Sequence, residues 1–166
     1  MISVKPRFCD LIAREKKKIE VRKTRPKTEI PFKCYIYCTR AKRSEKLYSN
    51  GTVIVKDTRK LLDPSVRYPG SKIFQRWNGK VIGEFVCKAI LPISITYSDT
   101  NSKIALREFP YTCLTDKEIM DYLGNGKTGY GFHISDLVIY DKPKDLSDFG
   151  MKRPPQSWCY AEEEKI

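Results

Sequence analysis

The stretch REKKKIEVRK, residues 14–23, places a run of basic charge against an Ile/Val alternation. Ile19 and Val21 repeat with the two-residue period of a strand, so they point one way while Lys18, Glu20 and Arg22 point the other. An apolar pair of this kind anchors a strand to a core and holds its polar side chains in defined directions. One reading is a small polar pocket. The other is a surface strand laced with ion pairs, each contributing about 0–1 kcal/mol.

Upstream, ISVKP at 2–6 reads as a short strand ending at a proline, which also suits the first turn of a helix. Phe8, Leu11 and Ile12 recur at helical spacing and predict a short amphipathic helix over 6–15. Downstream, TRPKTEIP connects to a strand, FKCYIYCT, at 32–39. There Cys34, Ile36 and Cys38 share a core face, and Lys33, Tyr35, Tyr37 and Thr39 share the opposite one. Residues 41–79 read as a basic loop or hairpin elaboration, with a short strand at TVIVK, a tight turn at WNGK, and Arg59, Lys60, Arg67, Lys72 and Arg76 adding charge.

KVIGEFVCKAILPI, 80–93, is a strong strand candidate in which Glu84 interrupts two aliphatics; such a carboxylate is either solvated at an edge or aimed into a polar groove. TDKEIMDYL, 115–123, opens with Thr115 and Glu118 at capping-box spacing and carries Ile119 and Leu123 as its apolar stripe. GNGKTG follows a helix and so lacks the strand-to-helix context of a phosphate loop; its glycines read as helix termination and turns. A further strand is expected around 136–140 and another in PPQSWCYAEE, with Ser157 and Cys159 on one side and Trp158 and Tyr160 on the other. Several strands with two clear helices predict an α+β domain, a small mixed or antiparallel β-barrel or sheet with short flanking helices, spanning 1–166 as one unit.

The chain of 166 residues carries a net charge of +12. That charge is uneven: residues 1–80 hold 22 basic and 7 acidic side chains, and residues 81–166 hold 10 and 13. Such asymmetry favours an electropositive face that attracts phosphate backbones. No apolar run reaches the length of a membrane span, and the start lacks the apolar segment of a secretory signal, so the expected location is cytoplasmic. The six cysteines include no CxxC pair and are expected to be reduced and mostly buried. No metal site or cofactor is expected, and a monomer is assumed.

EKKKIEVR at 15–22, placed after a first strand and short helix, resembles the Gly-x-Lys-x-x-Glu-x-Arg pattern of the ASCH family of PUA-like domains. Lys17, Glu20 and Arg22 match, while Glu15 stands at the usual glycine. YIYCT, GKVIGEF, GYGFHISDLVIYDKP and PPQSWCY resemble later segments of a bacterial and phage-associated branch. The resemblance implies a small open barrel whose groove, beside the motif, binds or processes RNA or modified nucleosides.

Some small ASCH enzymes remove an acyl group from modified cytidine using a lysine, a threonine three positions later and a distant glutamate. Here Lys17 matches the lysine, but Glu20 occupies the threonine position, where attack by a carboxylate would give an anhydride. Other members are ribonucleases, and no residue match here carries that role.

The leading expectation is an RNA- or nucleotide-binding module. Its ligand groups are Lys5, Lys17, Glu20, Arg22, Tyr35, Thr39, Gln156, Ser157, Trp158 and Tyr160. Arg22 holds a phosphate or base edge, Glu20 accepts from an amino or imino group, and Trp158 stacks or fills the core. The alternatives are a hydrolase using Lys17, Glu20 and Glu84 on a modified nucleoside or RNA, and a protein-interaction domain.

Overall fold

A computed structural model describes residues 1–40, 47–49, 52–55, 77–94 and 110–161, and for 47–49 and 52–55 the backbone course only. Its strands are β1 (Ile2–Val4), β2 (Ile19–Arg22), β3 (Phe32–Cys38), β4 (Leu47–Ser49), β5 (Thr52–Val55), β6 (Val81–Ser94) and β7 (Thr128–Lys144). Among the described residues there are two α-helices, α1 (Pro6–Ala13) and α2 (Asp116–Leu123), and 3-10 turns at Pro110–Thr112 and Leu146–Phe149. Contacts divide the chain into two compact units. The first is Met1–Ala13, Cys34–Glu84 and Val138–Ile166; the second is Arg14–Lys33 and Phe85–Leu137.

The five long-range strands hydrogen-bond in the order β1-β3-β6-β7-β2, and β4-β5 form a separate antiparallel hairpin. The sheet is mixed: β1 runs parallel to β3 and β2 antiparallel to β7. The expected α+β class holds, but the barrel does not. β1 and β2 end the order without pairing to each other, so the sheet stays open.

Irregular backbone occupies both edges. In the first unit Ile2 bridges Trp158, Ser3 N–H donates to Ser157 O at 2.9 Å and Cys159 N–H donates to Met1 O at 3.0 Å. In the second, Lys18 N–H donates to Tyr111 O at 2.9 Å. With edge groups satisfied in this way, two very short strands have little left to offer a closing ladder.

Among the described residues, the last strand expected in PPQSWCYAEE reduces to that one bridge at Trp158. Pro154 and Pro155 lack the N–H groups a longer ladder needs. Conversely, the strand expected at 136–140 is only part of β7, which runs from Thr128 to Lys144. Asp136, at φ 47°, breaks the extended backbone and resets the alternation, so the earlier half does not continue the pattern of the later one.

β3 also departs from a simple two-faced strand. Tyr35 and Tyr37 are buried along with Cys34, Ile36 and Cys38, so protein covers both faces of β3. The two tyrosines pack with Met1, Val81 and Phe149 in the core of the first unit. In α1 the buried stripe is Pro6, Cys9 and Ile12, with Phe8 and Leu11 half-buried beside it.

The core of the second unit is Ile19, Val21, Ile93, Ile119 and Leu123. Its helix α2 starts as its sequence predicts: Thr115 Oγ1 accepts from Glu118 N–H at 3.2 Å, and Thr115 N–H donates to Glu118 Oε2 at 2.9 Å. Gly124 at φ 101° ends it, donating its N–H to Met120 O, and Gly126 at φ 66° continues the turn, so GNGKTG serves as punctuation.

The hairpin β4-β5 includes the strand expected at TVIVK, and WNGK turns with Lys80 N–H donating to Trp77 O at 3.0 Å. Arg59, Lys60, Arg67, Lys72 and Arg76 lie outside the described residues. No cysteine is in a disulfide; Cys9, Cys34, Cys38 and Cys87 are buried and Cys113 and Cys159 half-buried. Among the described residues no helix is long and apolar enough to cross a membrane.

Candidate functional site

β2 carries its two faces as the alternation predicts. Ile19 and Val21 enter the core, and Glu20 and Arg22 lie on the other side. That other side is not solvent: Glu20 is 5% exposed, Arg22 9%, and Lys17, just before the strand, 1%. Three ionised groups buried together need one another, because each alone would carry the full cost of desolvation.

Glu20 sits between the two cations. Its Oε1 is 2.9 Å from Arg22 Nη2 and its Oε2 is 3.2 Å from Lys17 Nζ. Lys17 Nζ also donates to the carbonyl of Thr112, itself buried in the 3-10 turn. One carboxylate between two cations leaves the cluster at a formal +1. Oε2 of Glu20 is a buried atom with no hydrogen bond among the described residues. For Oε2 the nearby ammonium supplies charge without a bonded proton, so the carboxylate keeps an unused acceptor position.

The turn leading into this cluster keeps the shape a glycine would take. Glu15, which replaces the glycine of the ASCH pattern, has φ 56°, the left-handed region. The polar trio is thus presented despite the substitution. Cys113 stands next to Thr112, at φ 54°, with its thiol donating to Lys16 O at 3.4 Å. Burial pushes that thiol's pKa up, against the downward pull of Lys17 and Lys16.

β7 adds an aromatic to the same face. In the antiparallel ladder Glu20 is opposite Phe132 and Arg22 opposite Tyr130, and directly paired residues project to one side of a sheet. Phe132 is buried edge-on against Phe32, with ring centroids 6.4 Å apart. Tyr130 is half-buried, and Arg25 Cζ lies 5.8 Å from its ring centroid. Beyond Arg25, the segment Arg25–Ile30 and Ile90 line an open cleft of about 520 Å³.

The remaining candidate residues belong to the first unit. Lys5 and Gln156 are exposed, and Thr39 is half-buried. Ser157 carries the carbonyl that accepts from Ser3 N–H at 2.9 Å. Trp158 packs edge-on to Tyr160 at 5.6 Å, leaving Tyr160 63% exposed. Tyr35 is a core residue, tilted against Phe149 with centroids 4.7 Å apart. Glu84 is half-buried and accepts from Tyr140 Oη at 2.6 Å, which accounts for a carboxylate between two aliphatics.

Two groups beside the cluster carry little signal in the sequence. Thr112 acts through its backbone carbonyl, which any residue type supplies, so no sequence signal marks it. Arg25 lies in the proline-bearing connection TRPKTEIP, where its spacing of three residues after Arg22 is the one sequence feature that ties it to the cluster.

In fold, the chain is similar to an ASCH protein from Zymomonas mobilis, with 20% identity and a TM-score of 0.58 over 94% of this chain and 82% of that one. A Tyr-to-Phe variant of that protein matches at 19% identity and TM-score 0.57, over 94% of this chain and 84% of the variant. A Ser-to-Ala variant matches at 19% and 0.57, over 94% and 82%. No family model matches the sequence, and no curated protein does. The expectation raised by EKKKIEVR thus holds at the level of architecture: this chain has the fold of the ASCH proteins.

Proposed function

We propose that this chain is an RNA- or nucleotide-binding module whose recognition centre is the Lys17–Glu20–Arg22 cluster. The observation that carries the reading is the buried Oε2 of Glu20, an acceptor with no hydrogen bond among the described residues, held inside a net-cationic cluster. A buried ion network is weak evidence of stability, since well-packed apolar residues often do as well. An unused acceptor inside it suits a ligand that donates, such as the amino or imino edge of a nucleobase. The surrounding segment supports an anionic ligand: residues 14–33 hold nine Lys and Arg against three Glu.

Binding of short single-stranded RNAs and of free nucleosides, followed by calorimetry and fluorescence anisotropy at low and moderate salt, tests the reading. RNA affinity is expected to fall with salt, and Glu20→Gln, which replaces one acceptor oxygen with a donor, is expected to weaken both ligands. Absence of binding to either ligand at low salt overturns it. Turnover of N-acylated cytidine by the wild type, lost in Glu20→Gln, would instead make the protein a hydrolase.

A further inference from the structure

We infer that the ligand is a nucleoside carrying a phosphate, as a mononucleotide or within a strand, and that the phosphate docks at Arg25 in the cleft of residues 25–30. This deepens the proposed function and rests on it. Tyr130 stands opposite Arg22 in the β2–β7 ladder, and Arg22 is 2.9 Å from Glu20, so the ring adjoins the recognition cluster on one face of the sheet. Arg25 lies over that ring at 5.8 Å, near the outer limit of a cation–π contact and so readily exchanged. A base held at Glu20 has Tyr130 beside it as a stacking surface, and Arg25 next to Tyr130 meets whatever the sugar carries.

Chain geometry sets the scale. Arg22 and Arg25 are three residues apart, so their Cα atoms are separated by at most about 11 Å. That is within reach of one nucleotide with its phosphate. The cleft beyond Arg25 holds about 520 Å³ and is lined by Arg25, Lys27, Thr28, Glu29, Ile30 and other groups, two cations against one carboxylate. Among the described residues no carboxylate forms an ion pair with Arg25, so its guanidinium can present its fork to phosphate oxygens.

Calorimetric titration of the full chain with the four ribonucleosides, their 5′- and 3′-monophosphates, dinucleotides and inorganic phosphate tests this. Nucleotides are expected to bind at least tenfold tighter than the matching nucleosides, and Arg25→Gln to shrink that preference to within about twofold. The monophosphates and dinucleotides decide whether the group read is a terminal phosphate or a strand phosphodiester. Equal affinity for nucleosides and nucleotides in the wild type, or an undiminished preference in Arg25→Gln, overturns the inference while leaving base recognition at Glu20 intact. Inorganic phosphate binding as tightly as nucleotides overturns it too, leaving an anion site unconnected to a base. Failure of every ligand to bind removes the recognition centre along with it.

Discussion

Glu20 and Arg22 alternate outward from the same strand, yet their side chains are buried and joined at 2.9 Å, with Lys17 closing the cluster from the other side. A buried charge that loses its partner retains its desolvation cost. Glu20→Leu, which leaves the Lys17 ammonium and the Arg22 guanidinium buried without their shared carboxylate, is therefore expected to destabilise the protein by about 3–5 kcal/mol, as measured by urea denaturation. A loss below about 1 kcal/mol would mean the ammonium is not held in a dry site.

Glu15 adopts φ 56°, a conformation that L side chains other than Asn and Asp seldom take. Glycine has no Cβ clash there but loses more chain entropy on folding. Glu15→Gly is expected to raise stability by a net of about 0.5–1 kcal/mol, seen as a higher Tm. An unchanged or lower Tm would show that the turn carries no strain.

A Cβ on Gly83 would stand 2.2 Å from the backbone oxygen of Val138, whereas one on Gly131 would meet the side-chain ends Ile93 Cδ1 at 2.7 Å and Ile19 Cγ2 at 2.8 Å. Backbone yields less than a rotatable methyl. Both Ala variants are expected to be destabilised by overpacking, with Gly83→Ala losing about 3 kcal/mol and Gly131→Ala about 1–2 kcal/mol. Equilibrium unfolding of the two variants side by side checks the order; equal losses would contradict it.

Cys87 is buried, its thiol donates to Ala89 O at 3.3 Å, and burial pushes its pKa from 9.0 up to about 11. Well below pH 9 the thiol is protonated whether the chain is folded or not. Between about pH 9 and 11 the unfolded chain releases the proton and the folded one keeps it, so unfolding gains and stability falls. Cys87→Ala is expected to show a shallower decline over that window in denaturation midpoints taken at several pH values. Parallel curves for the two proteins would assign the decline to other groups.

Thr115 closes a reciprocal capping box with Glu118 at the start of α2, and the same helix supplies Ile119 and Leu123 to the core around β2. Thr115→Ala is expected to cost about 1 kcal/mol, and Thr115→Ser only a few tenths, by thermal unfolding.

What could be read without coordinates was local. The period of Ile19 and Val21, the Thr115–Glu118 spacing and the glycines of GNGKTG each act within a few residues, and each forms the element expected of it. The α+β class followed from adding such elements together, with mixed and antiparallel pairing both left open.

Closure did not follow. Whether β1 and β2 meet depends on Ser157, Cys159 and Tyr111 supplying edge hydrogen bonds from segments remote in sequence. The period likewise leaves Lys17, Glu20 and Arg22 open to either a polar pocket or a solvated strand, and only the tertiary structure, with the distant carbonyl of Thr112 anchoring Lys17, shows them buried. Sequence period determines which way a side chain points. Only tertiary packing decides whether water or protein lies there, because that is set by chain arriving from elsewhere.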